Sequence, residues 1–348
     1  MRSMLDRPPY GARDDAEFLA EMKRLDEHHR RGCPVYAAVH PQARCAESIE
    51  QIPFLHIGMF KHFDLRTNFR GASFARTLRS SATSGTMPSR IALDLESSKA
   101  QSESTQAILQ DFIGDERRPL VILDSSKSLR ARGEISARVA AAMSLRSLAS
   151  EMRFVLEVDG ESEAMAFSAL EEVIEAHASI VVYGFTSILW KVWNPVDWPE
   201  ALSRKVSNTR IDFVHSGGWK KLEAERVDRS TFDTRLLASC ARGSRVTDYY
   251  GLVEQAGIIY PLCSEGFRHV PIWAEVLVRD PFTGATVTGE SGQLHLLNVL
   301  AKGAPYHSVL TEDLGRVVEG PCPCGRIGRR FELIGRMPRA ELRGCANV

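Results

Sequence analysis

Residues Arg79–Arg90 read RSSATSGTMPSR. Small hydroxylated residues around Gly85 leave backbone N–H groups free to point at a single anion. Ser80, Ser81, Thr83, Ser84 and Thr86 add hydroxyl donors, and Arg90 adds charge. A loop of this kind can cradle a polyphosphate because no bulky side chain intervenes; a solvated Ser/Thr linker is the competing reading. Further on, Phe213–Leu222 reads FVHSGGWKKL and Asp248–Gly257 reads DYYGLVEQAG. The Gly217–Gly218 pair straight after an expected strand lets a flat ring lie against backbone. His215, just before it, is placed to touch a carboxylate or a reactive phosphate, with a purely structural role as the alternative. Tyr250 and Gly251, followed by Glu254, offer an aromatic stacking face and a hard oxygen ligand for Mg²⁺; for the tyrosine, a place in the core is the other reading. Thr311–Arg316 reads TEDLGR. There Asp313, expected in a turn between strands, can accept hydrogen bonds from two ribose hydroxyls or be an ordinary turn aspartate.

A second group of residues has the chemistry of a soft metal site. Cys322 and Cys324 form CPCG, and Cys263 opens CSEGFRH, which ends at His269. Together they supply four tetrahedral ligands of the kind zinc takes, free cysteines in a turn being the alternative. Cys33, Cys45 and Cys240 have no such companions and read as packing residues.

These residues need elements to hold them. Residues 14–31 place Phe18, Leu19, Met22 and Leu25 at helical spacing, which predicts an amphipathic helix. From about residue 90, strand-like runs (Leu120–Leu123, Phe154–Val158, Ile180–Tyr183, Ile211–Val214) alternate with helical stretches at Ile135–Glu151 and Glu161–His177. That rhythm predicts an α/β fold with mostly parallel sheets flanked by helices. After residue 270, Ala274–Arg279, Gly292–Leu297 and Gly315–Glu319 read as strands separated by turn signals, a small antiparallel β layer. The expected organisation is an N-terminal helical and irregular segment over 1–75 packed on the core, a catalytic core over 76–335 and a short tail over 336–348.

Composition narrows the function. The chain has 348 residues, with 44 Lys and Arg against 44 Asp and Glu. A net charge of zero gives no basic excess to hold a polyanion, so nucleic acid is not the expected partner. No apolar run reaches the roughly 18 residues of a membrane span. Met1–Asp15 has no apolar signal-peptide core, and an odd count of seven cysteines fits a reducing cytosol; the expected location is cytoplasmic.

Taken in order, the Ser/Thr/Gly loop, the Gly-Gly pair, the YGxxE block, the TxDLG segment and the Gly335-Arg336 pair resemble the motif series of the adenylate-forming superfamily. Within it the chain resembles the acyl-protein synthetases of the LuxE type, through SSATSGTMPSRI, ISARVAAAMSLRSLASE, VVYGFTSILW, HSGGWKKL, YGLVEQAG, HVPIWAEVLVRDP and the terminal ELRGC. The segment around CPCGR is also similar to phenylacetate-CoA ligases. The resemblance implies that a carboxylate attacks the α-phosphate of ATP to give an acyl-adenylate, and that a thiol then takes the acyl group. It assigns the 80–90 loop to the β- and γ-phosphates, Glu254 to Mg²⁺, Tyr250 with Gly217 and Gly218 to the adenine, Asp313 to the ribose and Arg336 to a further nucleotide contact. Cys345, in a tail with Arg339 and Arg343, corresponds to the acyl-carrying cysteine, an inert terminal cysteine being the alternative. Arginine neighbours favour its thiolate.

Phe185, Trp190 and Trp193 are candidates for an acyl pocket, with plain core packing as the alternative. The implied partners are a carboxylic acid and an acyl-CoA-reductase-like protein or an acyl carrier. Delivery of the acyl group to CoA, a carrier protein or an amine, and a catalytically weak scaffold, remain alternatives. The chain departs from the superfamily pattern in places. Its phosphate loop is short, Arg90 stands where Lys is common, Val253 precedes the Glu, and Met337-Pro338-Arg339 replaces the hinge residue. The C-terminal lid domain is expected to be absent.

Overall fold

The computed structural model describes residues 4–42, 46–80, 87–126, 137–159 and 162–337. Helix α1 (Asp15–Gly32) starts where Asp14 accepts hydrogen bonds from the Ala16 and Glu17 N–H groups, an N-cap, and it buries Phe18, Met22 and Leu25. Helices α2 (Pro34–Val39) and α3 (Met59–His62) follow, with the short strand β1 (Leu55–His56) between them. Strands β2 (Phe74–Arg79) and β3 (Arg90–Asp94) form an antiparallel pair, and α4 (Leu95–Ile113) starts from the Asp94 cap. Next come β4 (Arg118–Ile122), α5 (Ala137–Ser144), β5 (Ala149–Phe154), the paired strands β6 (Leu156–Asp159) and β7 (Ser162–Met165), and α6 (Phe167–Ala176). They are followed by β8 (Ser179–Phe185), α7 (Thr186–Ile188), which runs into a π-helical turn at Leu189–Trp193, α8 (Glu200–Asn208), β9 (Arg210–Ser216), α9 (Arg229–Leu237) and β10 (Arg245–Gly251). After a 3-10 turn at Val253–Gln255 come the strands β11 (Ile259–Pro261), β12 (Arg268–His269), β13 (Ala274–Arg279), β14 (Thr286–Val287), β15 (Gly292–Asn298), β16 (Ser308–Val318) and β17 (Arg330–Arg336).

Two sheets carry the architecture. One runs β11-β10-β9-β8-β4-β5, parallel except for the β11 edge. Its inner strands are nearly continuous apolar runs because both faces are covered. The other runs β12-β17-β16-β15-β13-β14, antiparallel, with β1 added in parallel to β16. This second layer is larger than its three sequence-visible strands suggest. The N-terminal segment is bonded onto it: Arg13 reaches the Ala274 carbonyl and the buried Glu275, and His29 reaches the Ala301 carbonyl at 3.0 Å.

Three expectations are corrected in detail. The helix expected over Ile135–Glu151 gives way to β5 from Ala149, which pairs in parallel with β4. The helix expected from Glu161 starts only at Phe167, because Leu156–Met165 is a β pair closed at Asp159 and Ser162. Asp313 lies inside the 11-residue β16, not in a turn.

Where α1 meets β16, burial sets a pH dependence. His29 and His307 stack with centroids 4.7 Å apart, and both, with His295, are fully buried. Burial drives all three below the ordinary histidine range, His307 to about 3. They are therefore neutral in the folded chain, whereas the unfolded chain takes up their protons near pH 6.5. Stability is complete above that value and is lost as pH falls toward the folded values, by up to about 1.4 kcal/mol per pH unit for each histidine. Urea unfolding at pH 7.5 and 5.5 should show this loss. His307→Asn should flatten the slope by about one histidine's share; an unchanged slope would contradict the assignment.

Candidate active site

The site lies at the carboxyl ends of β8, β9 and β10, the place where parallel sheets leave a crevice. His215 on β9 is the register partner of Asp248 on β10. Its Nδ1 lies 2.9 Å from Thr186 Oγ1 and 3.8 Å from Asp248 Oδ1. Burial lowers the His215 pKa, with Asp248 opposing and Arg268 and Arg229 reinforcing. Burial alone would raise Asp248, but Arg268 and His215 outweigh it and hold the carboxyl below its usual range. Arg268 donates to Asp248 and, at 2.8 Å, to the Tyr260 carbonyl.

Beyond His215 the chain turns on Gly217 and Gly218, both at positive φ. At Gly217 a Cβ would also meet the Phe185 ring at 3.2 Å, so conformation and space both call for glycine. An aromatic group closes this side: Phe232 lies against His215 at 5.0 Å, and Trp190 packs on Phe232 and Trp219. Trp193 is elsewhere, buried in the core against Trp198 and Phe213.

On the other side, the Tyr250 hydroxyl donates to Asp313 Oδ2 at 2.7 Å, and Arg336 Nε lies 3.3 Å from Asp313 Oδ1. Both carboxylate oxygens are thereby oriented. The Tyr250 ring stacks on Tyr260 at 6.0 Å and meets the edge of Phe331. Tyr250 thus takes the core place that was its alternative reading, and adds an orienting role that the sequence did not reveal. Asp313 and Arg336 are paired across β16 and β17.

Glu254, in the turn after Gly251, is almost fully buried. Burial raises its carboxyl, with Ser89 and Lys61 opposing. It has no ion pair within 4 Å among the described residues. Ser89 belongs to the base of the β2–β3 pair, where its N–H donates to Ser80 Oγ at 2.8 Å and its carbonyl accepts from the Ser80 N–H. Arg90 opens β3 opposite Arg79, exposed. The loop residues Ser81, Thr83, Ser84, Gly85 and Thr86 lie outside the described residues, as does Cys345.

The fold brings the four soft ligands together. The ligand atoms of Cys263, His269, Cys322 and Cys324 all lie within 4.8 Å of one another. The Cys263 and Cys322 sulfurs are 3.9 Å apart, and Cys324 Sγ is 3.3 Å from His269 Nε2. Asp248, Arg268, Thr186, Ser89 and Lys61 are the neighbours that sequence reasoning missed. All but Lys61 stand in stretches already singled out, Asp248 in DYYGLVEQAG, Arg268 in CSEGFRH, Thr186 in VVYGFTSILW and Ser89 in RSSATSGTMPSR, where none was named individually.

Known proteins are similar to this chain in sequence and in fold. The family model for the acyl-protein synthetases, LuxE, matches residues 15–348. A curated long-chain-fatty-acid–luciferin-component ligase of Aliivibrio fischeri is 27% identical over 142 residues, 39% of this chain and 36% of that protein. The aligned part therefore spans about a third of that relative's length. A 2-hydroxyisobutyryl-CoA ligase solved with 2-HIB-AMP and CoA shares the fold with a TM-score of 0.65 at 16% identity, over 92% of this chain and 69% of that one. ATP-bound MatB from Rhodopseudomonas palustris gives 0.51 at 16% identity, over 78% of this chain and 50% of that one. No helix among the described residues is long and apolar enough to cross a membrane.

Proposed function

This chain belongs to the acyl-protein synthetase (LuxE) family, and from that we propose that it is an ATP-dependent ligase that activates a carboxylic acid as its adenylate and passes the acyl group to a protein cysteine, its own Cys345. The observation that carries the reading is the convergence at one sheet end. The Tyr250–Asp313–Arg336 set, the buried Glu254 beside the base of the Ser/Thr/Gly loop, and His215 with the Gly217–Gly218 turn all belong to it.

In the first step a carboxylate oxygen of the acid attacks the α-phosphorus, and pyrophosphate leaves with the electron pair of the broken P–O bond. Two anions must approach, so the chain's task is to hold them in line and to neutralise charge. Asp313 accepts from the ribose hydroxyls, its oxygens pre-aimed by Tyr250 and Arg336. Gly217 and Gly218 give the adenine close access to backbone. The hydroxyls of the loop hold the β- and γ-phosphates, with Arg90 beside them. Mg²⁺, when bound, screens the phosphate charge. Glu254, a carboxyl whose pKa burial raises, fits as its ligand. His215, kept neutral by burial, faces the acid. Phe185, Trp190, Trp219 and Phe232 form the apolar wall beside it, a candidate acyl pocket.

In the second step the thiolate attacks the acyl carbonyl and AMP leaves. The thioester is then available to a reductase-like partner or an acyl carrier. ATP–pyrophosphate exchange with a panel of long-chain, short and aromatic acids tests the reading. Exchange stimulated at least tenfold by one class supports it and names the acid; a flat response across the panel overturns it.

A further inference from the structure

The four-ligand cluster has a geometry and a position that go beyond a passive knuckle. A tetrahedral zinc site, with Zn–S near 2.3 Å and Zn–N near 2.0–2.1 Å, has ligand–ligand edges of about 3.5–3.8 Å. The measured 3.9 Å between Cys263 and Cys322 and 3.3 Å between Cys324 and His269 bracket that edge. Cys263, His269 and Cys322 are buried. The His269 Nδ1 has no hydrogen-bond partner among the described residues, so the Nε2 side, facing the cluster, is the ring's polar anchor.

We infer that this cluster binds one zinc ion, and that the ion holds Arg268 in place as a clamp on Asp248, so that metal occupancy sets the position of His215 in the cleft. Each link is one residue from a ligand. Arg268 directly precedes His269 on β12. Leu262, directly before Cys263, donates its N–H to the Asp248 carbonyl at 2.8 Å and bridges to Arg268. The Cys263 N–H closes the intervening loop onto the Phe267 carbonyl at 2.9 Å. Cys263 and His269 therefore grip the two ends of the segment that presents Arg268. The Arg268 guanidinium spans the Tyr260 carbonyl and one Asp248 oxygen, and the other Asp248 oxygen faces His215. Ligands that tie only a surface loop would leave the cleft indifferent to the metal; these tie the residue that orients the carboxylate beside His215. Arg268 is on this account a positioning residue.

The activity arm of the test rests on the adenylation reading; a second arm does not. Elemental analysis of the purified full chain should find one zinc, and Cys324→Ser, at the most exposed ligand, should lose it. Chelated wild type and Cys324→Ser should show ATP–pyrophosphate exchange with kcat reduced about 10–100-fold and KM for ATP little changed. Arg268→Gln should reproduce that loss with zinc retained, and Arg268→Lys should restore part of it. Deuterium uptake over residues 245–262 should rise on chelation.

Absence of zinc overturns the inference, as do unchanged kcat and unchanged deuterium uptake after its removal, or full activity of Arg268→Gln. If no acid supports exchange, the adenylation reading fails by itself and the uptake over 245–262 decides the coupling. If Cys324→Ser does not fold, chelated wild type and the two Arg268 variants decide it.

Discussion

Glu254→Gln is expected to lower ATP–pyrophosphate exchange by about 10²–10³-fold, the usual consequence of losing one fixed electrostatic group at developing charge. The substitution keeps the shape of the side chain and removes only its charge. At neutral pH that charge is costly to the free protein, because burial holds the folded carboxyl above its unfolded value. A group so shifted is stable when protonated and costs stability once pH rises above its unfolded value near 4.5. Glu254→Gln should therefore melt at the same temperature as wild type or slightly higher. Activity lost while stability holds is the signature of a carboxylate kept for a cation. Exchange at wild-type rate would remove Glu254 from the site, and a loss that follows unfolding would make its role structural. Glu254→Ala would confound the two effects by opening a cavity.

The parallel sheet was legible because its strands are buried on both faces. Residues 180–183 are apolar without interruption, and 211–214 are broken only by Asp212, whose buried carboxylate pairs with Arg118 at 2.7 Å. Strand β5 was hidden because Ala149–Phe154 reads ASEMRF, with Glu151 and Arg153 facing outward, and merges with the helical pattern before it. The β6–β7 pair carried its Asp159-Gly160 signal openly, but the acidic residues that follow resemble a helix start. Asp313 was misplaced because Gly315 looks like a turn glycine. Its real reason is close packing: a Cβ there would lie 2.6 Å from the Glu332 carbonyl and 2.6 Å from the Leu294 side chain. The site residues themselves were visible because their types and order are distinctive. Their connections were not, since the Tyr250–Asp313 bond joins residues 63 apart and the Arg268–Asp248 pair joins two separate sheets. Sequence spacing specifies which groups exist; pairings across sheets depend on topology.

The second large effect is all or none. Incubated with ATP, Mg²⁺ and the acid found by the exchange panel, the chain is expected to gain the mass of one acyl group less a hydrogen. Hydroxylamine should release it, as a thioester requires, and Cys345→Ser should abolish it. Exchange should stay at wild-type rate in that variant, because adenylation precedes the thiol's attack. The thiols among the described residues are poor competitors. Burial pushes Cys240 up to about 11, which leaves about one thiolate in three thousand at pH 7.5, and it raises Cys33 as well. Cys263, Cys322 and Cys324 face one another in the metal cluster. Cys345 instead has Arg339 and Arg343 nearby in sequence, and positive neighbours increase the thiolate fraction at neutral pH. An adduct that persists in Cys345→Ser, or maps to another cysteine, would move the acyl site. Active exchange with no adduct on wild type, and acyl-CoA formed when CoA is supplied, would assign the second step to a small-molecule thiol instead.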